Sequence, residues 1–375
     1  MPPDLSTPAA SRLCYESMVR LLRWLAAPLA PLYGAVVRTR NRAFDDHPER
    51  SARVPVPVVS IGNLSMGGTG KTPVTLEIAR RLAARGRVVA VLSRGYGALR
   101  RDPRLVADGA RVLLGAAEGG DEPVLLARRL PGLRVLCGPR RRELARRAVD
   151  AHGADALLLD DGFQHRALAR DLDVVVVDAA NPLGNGHLLP AGPGREPRSA
   201  LARAGLVWLS RCDQAPSGEL ERWRRLAREA TGREAVESRH APVDVVDGTL
   251  ARSLGPEALR GRAVLLLSGL ARPGAFRRTV EALGARVVGE RRYPDHHRYG
   301  AAELAGALAA ARAEGASAVV TTEKDAVRFD PAVAADPRWA VVRIEAAVTA
   351  GEGTLEEALD GALAAGDRRR GGGTA

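Results

Sequence analysis

A chain of 375 residues with 46% hydrophobic content can bury one large core or two ordinary ones, which favours two domains and excludes disorder over most of its length. Its net charge of +12, mostly arginine, suits an anionic partner such as a phosphorylated substrate or an anionic lipid surface, whereas aromatics at 3% are too few for the stacking platforms of a single-strand nucleic-acid binder. Cys14, Cys137 and Cys212 stand far apart and odd in number, so neither a disulfide framework nor a zinc cluster follows, which fits a reducing compartment.

The first element is an apolar segment over residues 18–37, interrupted by Arg20, Arg23, Pro28 and Pro31. Its clean stretch is shorter than the roughly 20 residues a spanning helix needs. Trp24 and Tyr33, flanked by Arg20, Arg23, Arg38 and Arg40, predict a helix lying at headgroup level, so residues 1–40 read as an interfacial, membrane-associated helix.

Short Val- and Leu-rich runs then alternate with stretches of helical period, the pattern of βαβ units. Residues 56–61, 88–92, 133–137, 156–159, 174–177 and 206–209 read as buried parallel strands with helices on both faces. Residues 212–261 are polar, with one buried run at 243–246, and this places a domain junction near 245. A second alternation follows, with strands at 263–267, 286–289, 318–321 and 340–344 and helices at 274–283, 301–313 and 355–364. The fold class expected is α/β: a P-loop NTPase-like parallel sheet over residues 41–245 and a smaller α/β domain over 246–366. Residues 367–375, charged and then glycine-rich, read as a disordered tail.

Directly after the first strand comes Gly62-Asn-Leu-Ser-Met-Gly-Gly-Thr-Gly-Lys-Thr-Pro73, and an amphipathic run over 74–82 follows. Strand, glycine loop and helix together make a phosphate cradle, in which Ser65, Met66, Gly67, Gly68, Thr69, Gly70, Lys71 and Thr72 would surround the phosphates of ATP. Successive N–H groups and the helix N-terminus face the phosphates, Lys71 reaches the β/γ oxygens, and Thr72 offers its hydroxyl to Mg²⁺. Ser65 stands where the strict pattern has glycine. A further magnesium ligand is expected at a strand tip, where Asp160 and Asp161 are both candidates and spacing does not choose between them.

A nucleotide loop does not by itself make a kinase; an acceptor site does. Asp121, in Gly119-Gly-Asp-Glu-Pro123, opens a helical run where a carboxylate can accept a proton from a hydroxyl. Tyr293-Pro-Asp-His-His-Arg-Tyr299 gathers two histidines and an acid in one loop. Arg94, in Ser93-Arg-Gly-Tyr-Gly97, sits at a strand end where open α/β sheets bind ligands, and Gly192-Pro-Gly-Arg-Glu-Pro197 fixes Arg195 and Glu196 between prolines. A switch or chaperone hydrolysing GTP or ATP is the competing class, but Thr322-Glu-Lys-Asp325 has the wrong register for guanine recognition.

Taken together these stretches resemble the tetraacyldisaccharide 4'-kinase family of lipid A biosynthesis. The resemblance rests on residues 58–73, 92–97, 120–123, Leu159-Asp-Asp-Gly-Phe-Gln-His165, Leu188-Leu-Pro-Ala-Gly-Pro193 with Arg195-Glu-Pro197, Pro294-Asp-His296 and Thr322-Glu-Lys-Asp-Ala326, in family order. It implies transfer of the ATP γ-phosphate, with Mg²⁺, to the 4'-hydroxyl of an acylated disaccharide 1-phosphate. The setting would be the cytoplasmic face of the inner membrane, with the protein peripheral or monotopic and needing no nucleic acid and no obligate protein partner. It makes Ser65 the family's own residue, Asp121 the catalytic acid drawing the hydroxyl proton, and His296 its partner. It brings Gln164, Arg195 and Glu196 towards substrate, although Gly194 stands where the family carries a larger apolar residue.

Overall fold

The computed structural model describes residues 26–100, 102–270 and 272–371. Its strands are β1 (Val58–Gly62), β2 (Val89–Ser93), β3 (Arg104–Asp108), β4 (Arg134–Cys137), β5 (Ala156–Asp160), β6 (Leu172–Asp178), β7 (Leu206–Ser210), β8 (Val236–Asp247), β9 (Ala263–Ser268), β10 (Arg286–Arg292), β11 (Ala318–Thr322) and β12 (Trp339–Ala350). Its helices are α1 (Ala30–Asp45), α2 (Lys71–Ala84), α3 (Ala116–Gly119), α4 (Asp121–Arg129), α5 (Arg141–Asp150), α6 (Ser217–Thr231), α7 (Pro273–Ala282), α8 (Ala301–Ala313), α9 (Glu323–Ala326), α10 (Pro331–Ala334) and α11 (Glu352–Gly371).

All the strands join one sheet in the order β10-β9-β11-β12-β8-β7-β6-β1-β5-β2-β4-β3. Pairing is parallel except at the edge, β3 against β4, and at the joint, β8 against β12. The joint decides where a site can form. β7 pairs only with Val236 and Glu237 at the start of β8, whereas β11 pairs with Trp339–Val342 at the start of β12, which lies opposite the end of β8. The two halves of the sheet therefore sit at opposite ends of an antiparallel ribbon, separated by about eight residues or ~26 Å. Because the ribbon strands run in opposite directions, the carboxyl edges of both halves point inward at one another. Loops after β1, β2, β5 and β6 thus confront loops after β9, β10 and β11.

Burial explains the ordering. Strands β1, β2 and β5 are inaccessible on both faces, covered on one side by α2, α4 and α11 and on the other by α5. Each fully buried Val, Leu or Ile side chain there contributes roughly 1.5–3 kcal/mol. α11 leaves the second half and packs Leu355, Leu359 and Leu363 into the core that holds Val59 and Ile61.

Three expectations are revised. Residues 212–261 are not a loop-rich junction: they contain α6 and the long β8, and the expected boundary near 245 falls inside that strand. The tail expected to be disordered from 367 continues α11 as far as Gly371, held by Arg87 on Asp367 at 2.9 Å and Arg369 on Asp171 at 2.6 Å. The N-terminal helix runs on to Asp45, since no glycine or proline stands between Gly34 and Pro48. Trp24, Arg20 and Arg23 lie outside the described residues; of the apolar segment, Leu29, Leu32 and Val36 are seen, exposed along one side of the helix start. No described helix is long and apolar enough to cross a membrane.

Candidate functional site

The phosphate loop leaves β1 and enters α2 through Gly70, whose φ of +86° places it in the left-handed region. Gly67 is also left-handed, φ +111°, and space around it and Gly68 is open. Of the successive loop amides expected to face the ligand, two are taken within the protein: Met66 N–H donates to Pro193 O at 2.7 Å and Thr69 N–H to Gly67 O at 3.0 Å. The loop is laid against the 193–195 segment, where Ser65 bridges Gly194. The amides of Lys71 and Thr72 belong to the first turn of α2, where helix geometry leaves N–H groups for a ligand.

The two acids after β5 differ sharply. Asp161, at φ 52°, is 3.4 Å from Lys71 Nζ and 2.8 Å from Arg195 Nη1. Burial raises its pKa, but Lys71 and Arg195 outweigh that and hold it down to about 2. Asp160 is fully enclosed and accepts from Ser93 Oγ at 3.0 Å. Burial, with the charges of Glu122 and Asp161, pushes its carboxyl up to about 7. Spacing in the sequence could not separate the pair; their partners do.

Asp121 is the first residue of α4, on the side of the cleft made by the first half. His296, from the loop after β10, reaches across and sets Nδ1 3.0 Å from Asp121 Oδ2. Two groups missed at the level of sequence roles complete this cluster. Lys324 Nζ lies 3.1 Å from His296 Nε2 and 3.3 Å from Asp295 Oδ1, and Arg328 Nε is 3.5 Å from Asp121 Oδ2. The arginine is aimed by Asp325, which is completely buried and accepts from Gly269 N–H, Tyr299 Oη, Arg328 Nη2 and the hydroxyl of Thr322, the residue that caps α9. The string Thr322-Glu-Lys-Asp-Ala326 signalled Lys324 in the sequence, whereas Arg328 lies two residues beyond it.

Positive φ outside glycine costs of order 1–3 kcal/mol and persists where its surroundings enforce it. Five described residues carry it, and three, Asp161, Arg211 and His296, border this cleft. Arg211 donates to Gly68 O at 2.9 Å and to Asp178 at 2.6 Å, and Arg272 from the loop after β9 reaches the same carboxylate. Asp178 ends a buried valine run just as Asp160 ends a leucine run, a pattern that could have flagged it.

The remaining predicted residues separate. Gln164 turns inward, its Nε2 donating to Asn63 O at 2.9 Å behind the phosphate loop. Glu196 is enclosed and bound by Asn41 at 2.7 Å and Arg203 at 2.9 Å, so it anchors α1 and its own loop rather than facing the cleft. Arg94 is exposed beside Arg141, which sequence reasoning passed over as one of a run of helix-start arginines. Arg141 is 1% exposed, and its three guanidinium nitrogens have no hydrogen-bond partner among the described residues. Burial, then Arg94, lowers it to about 10, and burial with Arg141 and Arg94 lowers neighbouring His165 to about 4.

A family model described as Tetraacyldisaccharide-1-P 4'-kinase matches residues 22–364. This chain belongs to that family. Among its relatives, the tetraacyldisaccharide 4'-kinase of Anaeromyxobacter sp. (strain Fw109-5) is 68% identical over 346 residues, covering 92% of this chain and 93% of that protein. That of Geobacter metallireducens is 40% identical over 315 residues, covering 83% and 90%. The crystal structure of LpxK from Aquifex aeolicus in complex with ATP superposes with a TM-score of 0.73 at 26% identity, covering 91% of this chain and 99% of that one. The family's P-loop kinase fold is therefore the fold of this chain, and the expected α/β class with its phosphate loop stands.

Proposed function

We propose that the protein transfers the γ-phosphate of ATP to the 4'-hydroxyl of a tetraacyldisaccharide 1-phosphate. The observation that carries this reading is the contact of Asp121 with His296 across the cleft, since a nucleotide switch needs no proton acceptor built from its second half. The substrate after which the family is named and the ATP bound to the Aquifex aeolicus relative agree with it.

The geometry favours a division of labour different from the one expected from sequence. Asp121 is buried and its Oδ2 is taken by His296 and Arg328, whereas His296 Nε2 meets the Lys324 ammonium at 3.1 Å, a contact that an incoming hydroxyl can replace. His296 Nε2 is then the atom that takes the hydroxyl proton, and Asp121 holds Nδ1–H and the ring orientation. In the transfer the sugar oxygen bonds to γ-phosphorus, the bond to the β–γ bridging oxygen breaks, ADP keeps that electron pair, and the proton passes to Nε2. Lys71 moves from Asp161 to the phosphates, where it meets the charge that develops on the transferred group.

Asp160, enclosed and crowded by Glu122 and Asp161, has the chemistry of a carboxylate that a divalent cation would relieve, while Asp161 is already neutralised by two side chains. Thr72 and Asp160 are the residues to hold Mg²⁺, which would neutralise the β/γ oxygens. Arg141, unpaired and buried next to Arg94 and His165, suits the acceptor's phosphate. The exposed Leu29 just before α1 and Leu32 and Val36 within it, with Arg38 and Arg40, suit the cytoplasmic surface of the inner membrane as a peripheral docking face. The two halves of the sheet already meet across the cleft at the Asp121–His296 contact, so the acceptor enters a site whose groups from both halves are in place.

Incubation with labelled ATP, with and without acylated disaccharide 1-phosphate in detergent, tests the reading. Label should appear in the lipid, and H296N should lower the transfer rate about 10²- to 10⁴-fold with ATP affinity unchanged. Label released only as inorganic phosphate, or H296N transferring within tenfold of the parent, would sink it.

A further inference from the structure

The cation on the far side of the base is the least expected feature of the cleft. Lys324 Nζ stands 3.1 Å from His296 Nε2, 3.3 Å from Asp295 Oδ1 and 3.8 Å from Glu122 Oε1. A lysine ammonium has three donors and no acceptor, so Nε2 must be receiving, and the ring proton sits on Nδ1 opposite Asp121 Oδ2. The contact therefore selects the tautomer that the transfer needs. It also occupies the lone pair that would take the substrate's proton.

We propose that Lys324 is a positioning residue that masks His296 Nε2 until an acceptor hydroxyl arrives, then passes its ammonium to the Glu122 and Asp295 carboxylates and exposes the base. The inference rests on His296 being the proton acceptor. The movement asked of Lys324 is short, because all three acceptors already surround the ammonium within 4 Å. The backbone beneath it does not move, since α9 is pinned by Asp325 and by Glu323 on Arg129 at 2.6 Å. The other groups facing His296 are fixed in complementary roles. Asp121 and Glu122 come from α4, Asp295 and Arg298 from its own loop with Arg298 turned to Gly97 O, Arg328 follows α9, and the Tyr96 ring meets the imidazole edge-on at 5.1 Å.

Masking has a purpose in a kinase whose cleft is open to water. With Nε2 free, water can replace the sugar hydroxyl: its oxygen bonds to γ-phosphorus, the bridging bond breaks to ADP, and its proton goes to Nε2, wasting ATP as inorganic phosphate. With Nε2 covered by a donor, that route has no base.

The test compares the parent with K324M, K324R, E122Q and H296N, measuring transfer to lipid and release of inorganic phosphate. K324M should raise the ratio of hydrolysis to transfer at least about fivefold, and K324R should restore most of the parental behaviour. E122Q removes one landing place for the ammonium, so it should lower kcat with KM for ATP unchanged and leave the hydrolysis ratio at or below that of the parent; it serves where K324M does not fold. A K324M that loses kcat uniformly, with the ratio of hydrolysis to transfer unmoved, overturns the inference, as does an E122Q identical to the parent. If H296N abolishes transfer while these variants behave so, only the masking role falls; if H296N transfers normally, the assignment of the base falls first.

Discussion

Replacing Gly70 by alanine tests whether the phosphate loop must enter α2 through a left-handed residue pressed against the ribbon. An L side chain at φ +86° costs about 1–2 kcal/mol. The new Cβ would also stand 2.6 Å from Nε2 and 3.1 Å from Cε1 of His240, a ring carried by β8 where that strand pairs with β12 at Ala346. Overpacking of this kind costs a further ~1–3 kcal/mol. Space around Gly67 and Gly68 is open, so the loop yields rather than the ribbon, and nucleotide binding must then restore the loop. The sum of about 2–5 kcal/mol corresponds to ATP bound roughly 30- to 4,000-fold more weakly. Isothermal titration of the parent, G70A, H240A and the double variant separates the two contributions. H240A removes the collision and leaves the backbone cost, so the double variant should bind about 5- to 100-fold more tightly than G70A alone. G70A binding within threefold of the parent, or a double variant no better than G70A, would refute the reasoning.

Three other outcomes follow from the same geometry. D325A leaves Arg328 buried without its carboxylate and should cost about 3–5 kcal/mol, read as a lower urea midpoint by tryptophan fluorescence; a loss below about 1 kcal/mol contradicts the role given to Asp325. L32E with V36E places two charges on the exposed side of α1 and should weaken binding to anionic vesicles at least about tenfold with ATP binding intact; equal sedimentation with vesicles would remove α1 as a docking face. His165 and His240 are pushed down by burial, to about 4 and about 3. Below the ordinary imidazole value of about 6.5 the unfolded chain therefore takes up protons that the folded chain refuses, and stability falls as pH drops from about 6.5 towards 4. Melting curves between those limits should show H165Q with a shallower decline than the parent; identical slopes would contradict the burial argument.

The phosphate loop was legible because its chemistry is local: strand, glycines, Lys71 and helix follow one another in the chain. The pairing of Asp121 with His296 was reached by resemblance alone, and nothing between them in sequence announces a contact over 175 positions. The reason is β8. Val236, Ser238 and Val246 are buried while Arg239 and Val243 are exposed and Asp244 partly so, an alternating ribbon rather than the continuous apolar run that marks the other strands. Read as a polar junction, that stretch hid the antiparallel joint on which the facing of the two carboxyl edges depends. Arg141 was hidden differently: among Arg140, Arg141 and Arg142 only its position inside the fold distinguishes it, and a run of arginines looks the same whichever one is enclosed.

The ribbon also explains how groups from both halves keep their spacing without ligand. Arg129, on the same helix as Asp121, is 5% exposed and binds Glu323 at 2.6 Å and Glu345 at 3.0 Å. Glu345 in turn takes Arg80 of α2 at 2.8 Å. The helices that carry Lys71, Asp121 and Lys324 are thus tied together at β12, away from the loops where their functional ends meet. Breaking a buried pair leaves an uncompensated charge and costs several kcal/mol, so these ties resist sliding of α4 against α9. Asp121, His296 and Lys324 are consequently in register before nucleotide arrives, as a preorganised site requires. The parts that remain to move are the phosphate loop, laid on Pro193, and the ammonium groups of Lys71 and Lys324, each parked on a protein group that substrate would replace.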